Sequence, residues 1–144
     1  ATSTADVDDE SDCKCIAGNT LDPGGGAALY TECKQCVAGK FKSIPFSDLA
    51  CDDCTAGKIT ATAGLTGCTE CTAGSIAATV ALSECTDCLA GQGTAGDGQD
   101  TCTACPTGMF NANPGNVCAD CPENTFGANV AAVPNTGDIA CIDW

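Results

Sequence analysis

The chain has no histidine and no arginine, and its five lysines all lie at or before Lys58. Nucleophilic and general-base catalysis lean on such side chains, and no serine–base constellation stands in their place, so an enzyme is not expected. Phosphate recognition needs clustered Lys and Arg, which makes nucleic acid and anionic membrane surfaces poor partners. Four Phe, one Tyr and one Trp are too few to build the large buried surfaces of a conventional core, and the abundant Ala, Gly and Thr bury little each. No apolar run approaches the roughly 20 residues of a membrane helix, and no GPI-type tail follows Trp144, so neither a span nor a lipid anchor is visible. No Asn-x-Ser/Thr sequon occurs, Asn116-Val117-Cys118 being the nearest, while the many Thr leave O-linked sugar open.

What the chain does hold is acid and cysteine. Residues 1–60 carry ten acids and all five lysines, and residues 61–144 carry nine acids and no base, for a formal net charge of −14. Cations, basic partners or plain hydration are what such a surface favours. Fifteen cysteines in 144 residues lie in the range of disulfide scaffolds, where cross-links do the work of a core. Each loop of about 15 residues closed by a bridge removes on the order of 3 kcal/mol of unfolded-state entropy. Bridges in this number need an oxidising compartment, so the expected location is extracellular or at the cell surface. The small residues Ala1, Thr2 and Ser3 suit a mature end after signal-peptide removal, and equally an internal fragment.

Cys-x-x-Cys pairs open at Cys51, Cys68, Cys85 and Cys102, each 17 residues after the last. A fixed period of this kind is the mark of a repeat array, with atypical units at its ends. Residues 1–12 form an acidic N-terminal segment, expected to lie against its own repeats or a neighbouring molecule. Residues 13–32 form an irregular capping repeat with Cys-x-Cys and a Pro23-Gly24-Gly25-Gly26 turn. Residues 33–117 are tandem repeats of 16 to 18 residues, and residues 118–144 an extended C-terminal repeat and cap.

Gly18, Gly39, Gly57, Gly74, Gly91 and Gly108 each lie three residues past a cysteine, and Asn124 takes that place in the last unit. Gly and Asn best tolerate positive φ, so the slot predicts a left-handed turn. Two residues later Phe41, Ile59, Ile76, Phe110 and Phe126 recur, with Thr20 and Gly93 as exceptions. They are expected to plug each unit onto the next; the functional alternative is an aromatic ladder that binds ligand. Secondary structure should be short strands of two to four residues, with Ser75–Leu82 ambiguous between helix and strand.

If the second cysteine of each pair bonds the first of the next, the bridges are Cys15–Cys33, Cys36–Cys51, Cys54–Cys68, Cys71–Cys85, Cys88–Cys102, Cys105–Cys118 and Cys121–Cys141. This scheme consumes fourteen cysteines and leaves Cys13, and it explains why Cys141 is single. Pairing within a Cys-x-x-Cys, as in redox motifs, is the alternative. Zinc-ribbon spacing is also present, but the absence of His and the odd cysteine count speak against metal. Asp97 and Asp100, or the Asp6 to Asp12 run, offer carboxylates to calcium without matching an EF-hand loop. No cofactor is called for.

The units CTECTAGSIAATVALSECTDCLAG and CTACPTGMF resemble the cysteine-rich repeats of ciliate surface proteins, the immobilisation antigens, over residues 13–141. That resemblance implies a GPI-anchored coat protein. The CPxGxF form at Cys105–Phe110 is also similar to extracellular receptor modules, with tumour-necrosis-factor-receptor and furin-like repeats as distant relatives.

The fold expected is therefore small and disulfide-rich: an elongated tandem-repeat rod of single-disulfide loops, with short β pieces and little regular secondary structure. Its expected role is structural, as a cell-surface coat or a self-assembling extracellular filament, with the chain itself as partner. Cys13 and Trp144, at the irregular ends, are the candidate intermolecular contacts. Trp144 has a second reading as a plug over its own last loop, and Cys13 as the remnant of a truncated upstream repeat. The alternative function is a receptor-like or decoy ectodomain that binds a basic ligand through its acidic face.

Overall fold

The computed structural model describes residues 15–21, 33–45, 50–128 and 140–143. Among them there is no helix; all regular structure is in seven two-stranded antiparallel hairpins. The strands are β1 (Asn19–Leu21) with β2 (Cys33–Gln35), β3 (Lys40–Phe41) with β4 (Asp52–Asp53), and β5 (Lys58–Ile59) with β6 (Thr69–Glu70). They continue as β7 (Ser75–Ile76) with β8 (Thr86–Asp87), β9 (Gln92–Gly93) with β10 (Thr103–Ala104), and β11 (Met109–Phe110) with β12 (Ala119–Asp120). The last hairpin, β13 (Thr125–Ala128) with β14 (Ala140–Asp143), is the longest. The ambiguous stretch from Ser75 resolves as strand β7 followed by bends and a turn.

Each hairpin is one repeat, and a bridge closes it. The seven bridges join Cys15–Cys33, Cys36–Cys51, Cys54–Cys68, Cys71–Cys85, Cys88–Cys102, Cys105–Cys118 and Cys121–Cys141, with Cα atoms 5.5–5.8 Å apart. Within a unit the chain leaves the bridged cysteine, turns, runs up one strand, loops back to the partner cysteine and descends the second strand. In the second to sixth units that second strand is the two residues between the cysteines of the next pair, and in the first unit Cys33 joins them, so one segment is both hairpin edge and connector; in the last unit the strand is Ala140–Asp143, around Cys141.

The turn is where local sequence dictates structure most plainly. The amide of Lys58 donates to the Thr55 carbonyl at 3.1 Å, and the same closure recurs from Asn19 to Ile16, Ser75 to Thr72, Met109 to Pro106 and Thr125 to Pro122. Its third residue has positive φ in all seven units, from 67° at Asn124 to 94° at Gly74. This is the type II pattern, which asks for Gly or Asn there. The first turn residue contributes only its carbonyl, which is why Pro106 and Pro122 fit that slot without loss.

The units are knitted along the array by backbone hydrogen bonds. The turn amides of Gly18, Gly39, Gly57 and Gly91 donate to the carbonyls of Lys42, Thr60, Ala77 and Asn111 in the following unit, at 2.7–3.0 Å. At Gly74 the acceptor is instead the Thr94 hydroxyl, at 2.8 Å. Further back-contacts run from Gly64, Ala81, Gly98 and Gly115, whose amides donate to the carbonyls of Cys36, Cys54, Cys71 and Cys88.

This geometry corrects the expected packing. Phe41, Ile59, Ile76 and Phe110 are only half-buried, and Phe126 is exposed. The enclosed column lies one residue later: Leu21, Lys42, Thr60, Ala77 and Asn111, together with the inner cysteines Cys15, Cys36, Cys54, Cys71, Cys88 and Cys105. The reason is the turn-amide bond just described. It draws the backbone of that later residue against the preceding unit and closes its side chain in, where backbones approach too closely for a large plug. Polar occupants meet the requirement by hydrogen bonding. The Thr60 hydroxyl donates to the Lys40 carbonyl at 3.3 Å, and Asn111 Nδ2 donates to the carbonyls of Gln92 and Asn116 at 2.6 and 2.9 Å. Gly93, the exception in the apolar column, has Cys118 against it: an added β-carbon would lie 3.1 Å from the Cys118 Sγ.

Candidate interaction surface

A second level of contact joins units two apart. A β-carbon at Gly18 would collide with the carbonyl oxygen of Gly64, at Gly39 with that of Ala81, at Gly57 with that of Gly98 and at Gly74 with that of Gly115. Each of these four turns is thus roofed by the loop of the next unit but one, whereas the Gly108 turn has nothing among the described residues within 4 Å of an added β-carbon. The roofing residues themselves have positive φ, 80° at Gly64, 60° at Ala81, 69° at Gly98 and 80° at Gly115. Sequence reasoning missed this second left-handed column, whose signal is a residue seven places after the turn glycine; Ala81 interrupts the pattern.

The connector strands face solvent, and all but Thr103–Ala104 carry a charged side chain. The second residue of each connector gives a column Gln35, Asp53, Glu70, Asp87, Ala104 and Asp120, all exposed. Their cross-strand partners are Asn19, Lys40, Lys58, Ser75, Gln92 and Met109. In the second and third units the acid meets a lysine: Lys40 pairs with Asp53, and Lys58 Nζ lies 3.0 Å from Glu70 Oε1. Such solvent-exposed pairs contribute about 0.2–1 kcal/mol each. Farther along, Asp87 and Asp120 face Ser75 and Met109, and their charge stays uncompensated across the hairpin. The column side chains also lean over the roofing loops: an added β-carbon at Gly98 would lie 3.2 Å from Glu70 Cδ, and one at Gly115 would lie 3.0 Å from Asp87 Cγ.

Between the second and third hairpins is an open cleft of about 270 Å³, lined by Phe41, Asp52, Asp53, Thr55, Lys58 and Cys68. Phe41 stands opposite Asp52 in the β3/β4 register. Asp53 and Lys58 are engaged by Lys40 and Glu70, so Asp52 supplies the cleft's net charge beside an aromatic wall. An ammonium or guanidinium group with an alkyl stem matches that chemistry. On another edge, Ile16, Val37, Thr55, Thr72, Leu89, Pro106 and Pro122 occupy the slot after the inner cysteine, all exposed.

Of the residues singled out from sequence, the fourteen bridged cysteines are spread along the array, one bridge per unit. Cys13, Trp144 and the acidic segment 1–12 lie outside the described residues, as do the loop at Pro23–Gly26 and Phe46. Asp97 Oδ1 accepts from the Ala73 amide at 2.8 Å, and Asp100 Oδ1 accepts from the Thr101 hydroxyl at 2.9 Å. These carboxylates therefore act as local braces. Among the described residues no group of three or more potential metal ligands comes together, and no helix is long and apolar enough to cross a membrane.

A family model described as tyrosine-protein kinase ephrin type A/B receptor-like matches residues 91–137, about a third of the chain. The matched stretch spans the turn of the fifth unit, the Cys105–Phe110 CPxGxF segment and most of the last unit. No curated protein matches the chain. The chain thus contains a cysteine-rich stretch similar to a receptor-like ectodomain module, set in a disulfide-stapled fold of repeating hairpins.

Proposed function

We propose that the chain is a non-enzymatic structural protein of the extracellular space, a stapled array that serves as a cell-surface coat or assembles with itself into a filament. The observation that carries this reading is the interlock across two units, in which Gly18, Gly39, Gly57 and Gly74 are each roofed by the loop of the next unit but one. Such a design holds a shape, since none of the first four units can swing open without lifting a loop two places away. Seven bridges and the receptor-like match support an oxidising, extracellular or surface setting. The coat role follows the likeness of the repeats to immobilisation antigens.

Intact mass with and without reductant, alongside negative-stain images of the same material, tests it. The expected result is a gain of about 14 Da on reduction, at about 2 Da for each bridge opened, together with sheets or long fibres in the images. Discrete particles of monomer size at all concentrations would remove the assembly reading.

A second reading, a receptor-like ectodomain that binds a basic ligand, is favoured by two observations that coincide in the later units. Residues 91–137 match the receptor-like model, and Asp120 there, like Asp87 just before, lacks a cross-strand lysine. Tight binding of one defined cationic partner that weakens steeply between low and physiological salt is its expected signature.

A further inference from the structure

The order of bridges and connectors has a mechanical consequence that the packing alone does not have. A covalent path runs the length of the array from Cys15 to Cys141. It crosses the Cys15–Cys33 bridge, passes along Lys34 and Gln35 to Cys36, crosses to Cys51, and continues so to the last bridge. On that path every hairpin loop is a side branch. We infer that the protein is a load-bearing tether, in which axial tension travels through bridges and connectors while the loops carry none of it.

The repeat lengths fit this division of labour. The connector between successive bridges is two residues in all six places: 34–35, 52–53, 69–70, 86–87, 103–104 and 119–120. The bridged loops vary, with cysteine separations of 13 to 20 residues. A segment that sets the length of a tether must be constant, whereas a side branch is free to lengthen or change its side chains. Five of the six connectors also carry a charged side chain, Thr103–Ala104 being the exception, and the loops of the third to sixth units are the roofs, so the covalent path and the roofing contacts fall on different parts of those repeats.

The magnitudes are large enough to measure. One bridge of about 5.6 Å plus three peptide steps gives a unit roughly 16 Å long when pulled taut, so the whole path from Cys15 to Cys141 reaches about 100 Å. Without bridges the same 126 steps would reach about 440 Å. The inference deepens the structural reading proposed above and assumes it only in taking load as the use. The pulling result depends on covalent connectivity and the images on assembly, so either can fail without the other.

The experiment is single-molecule stretching of the full chain held at its two ends, oxidised and after treatment with a phosphine reductant. The oxidised chain is expected to stop about 340 Å short of the reduced one. A Cys71→Ser/Cys85→Ser double variant, oxidised, is expected to gain about 40 Å, because the 14-residue separation across that bridge then joins the path. Peptide mapping of the oxidised variant that finds the other six bridges in place makes the reading independent of how well the variant packs, and a variant that mispairs is replaced by the equivalent Cys88→Ser/Cys102→Ser pair. An oxidised chain that stretches to the reduced length, or a double variant with no gain, would overturn the inference.

Discussion

Two neighbours in the third unit, Gly57 and Lys58, belong to opposite regimes. Gly57 lies in the turn column, buried, with φ at 85° and the Gly98 carbonyl where a β-carbon would be. Lys58 lies in the charged column, half-exposed and paired across the hairpin with Glu70. The turn slot holds Gly in six units and Asn in the seventh, while the next slot runs through Asn19, Lys40, Lys58, Ser75, Gln92, Met109 and Thr125. The array therefore concentrates its specification in backbone approach and leaves its outer face free. Among the described residues, where the apolar core is so small, close contact of bare backbone takes the place of side-chain packing.

The hardest test of that contrast is Gly57→Ala. A single methyl group adds left-handed strain of about 1–2 kcal/mol and also forces the Gly98 loop outward, an overpacking cost of about 1–3 kcal/mol. Urea unfolding with bridges intact should show a loss of about 3 kcal/mol, and hydrogen exchange should rise at Ala77 and Gly98 as well as at the mutated turn. A loss confined to the mutated unit and no larger than the left-handed strain, about 1–2 kcal/mol, would mean that the roof over the turn does not bear on stability.

A gain is expected at the one roofing position that breaks its own column. Ala81 sits at φ 60° where Gly64, Gly98 and Gly115 stand in the other units. Ala81→Gly removes the left-handed strain, of about 1–2 kcal/mol, and adds unfolded-state entropy of about 0.5–1 kcal/mol. The net expectation is a stabilisation of about 0.5–1 kcal/mol, read as a higher urea midpoint at unchanged slope. Destabilisation by the variant would show that the alanine methyl packs usefully over Gly39 and its surroundings.

These positions also mark how far the sequence could be read. The fold class was legible because cysteine spacing at 17 residues and the recurring turn glycine are local, repeated signals, each with a direct physical cause. The buried column was not. The apolar column is Phe41, Ile59 and Ile76, whereas the enclosed one holds Lys42, Thr60 and Asn111, whose side chains are polar or charged. Their burial is imposed by a backbone bond from the preceding turn, and no side-chain periodicity reports a bond of that kind. The roof was hidden for a related reason: a contact between units two apart has no local signature, and Ala81 and the longer early loops blur the one positional cue.

At the other end of the comparison stands Lys58→Ala, next to the most constrained residue of its unit. The variant removes an exposed ion pair with Glu70, and surface pairs of this kind contribute about 0.2–1 kcal/mol, less in salt. The stem of Lys58 lines the cleft beside Phe41, but its loss uncovers no core, because the enclosed position of this segment is Thr60, just after β5. Stability should fall by less than about 0.5 kcal/mol at 0.15 M salt, with the difference from wild type narrowing further at 1 M. The change in surface charge should be plainer than the change in stability: the cleft loses the one lysine among its described lining, and a cationic probe should bind more tightly at low salt. A stability loss near that of Gly57→Ala would show that the outer face holds the array together as firmly as the turns do, and the division between the two columns would fail.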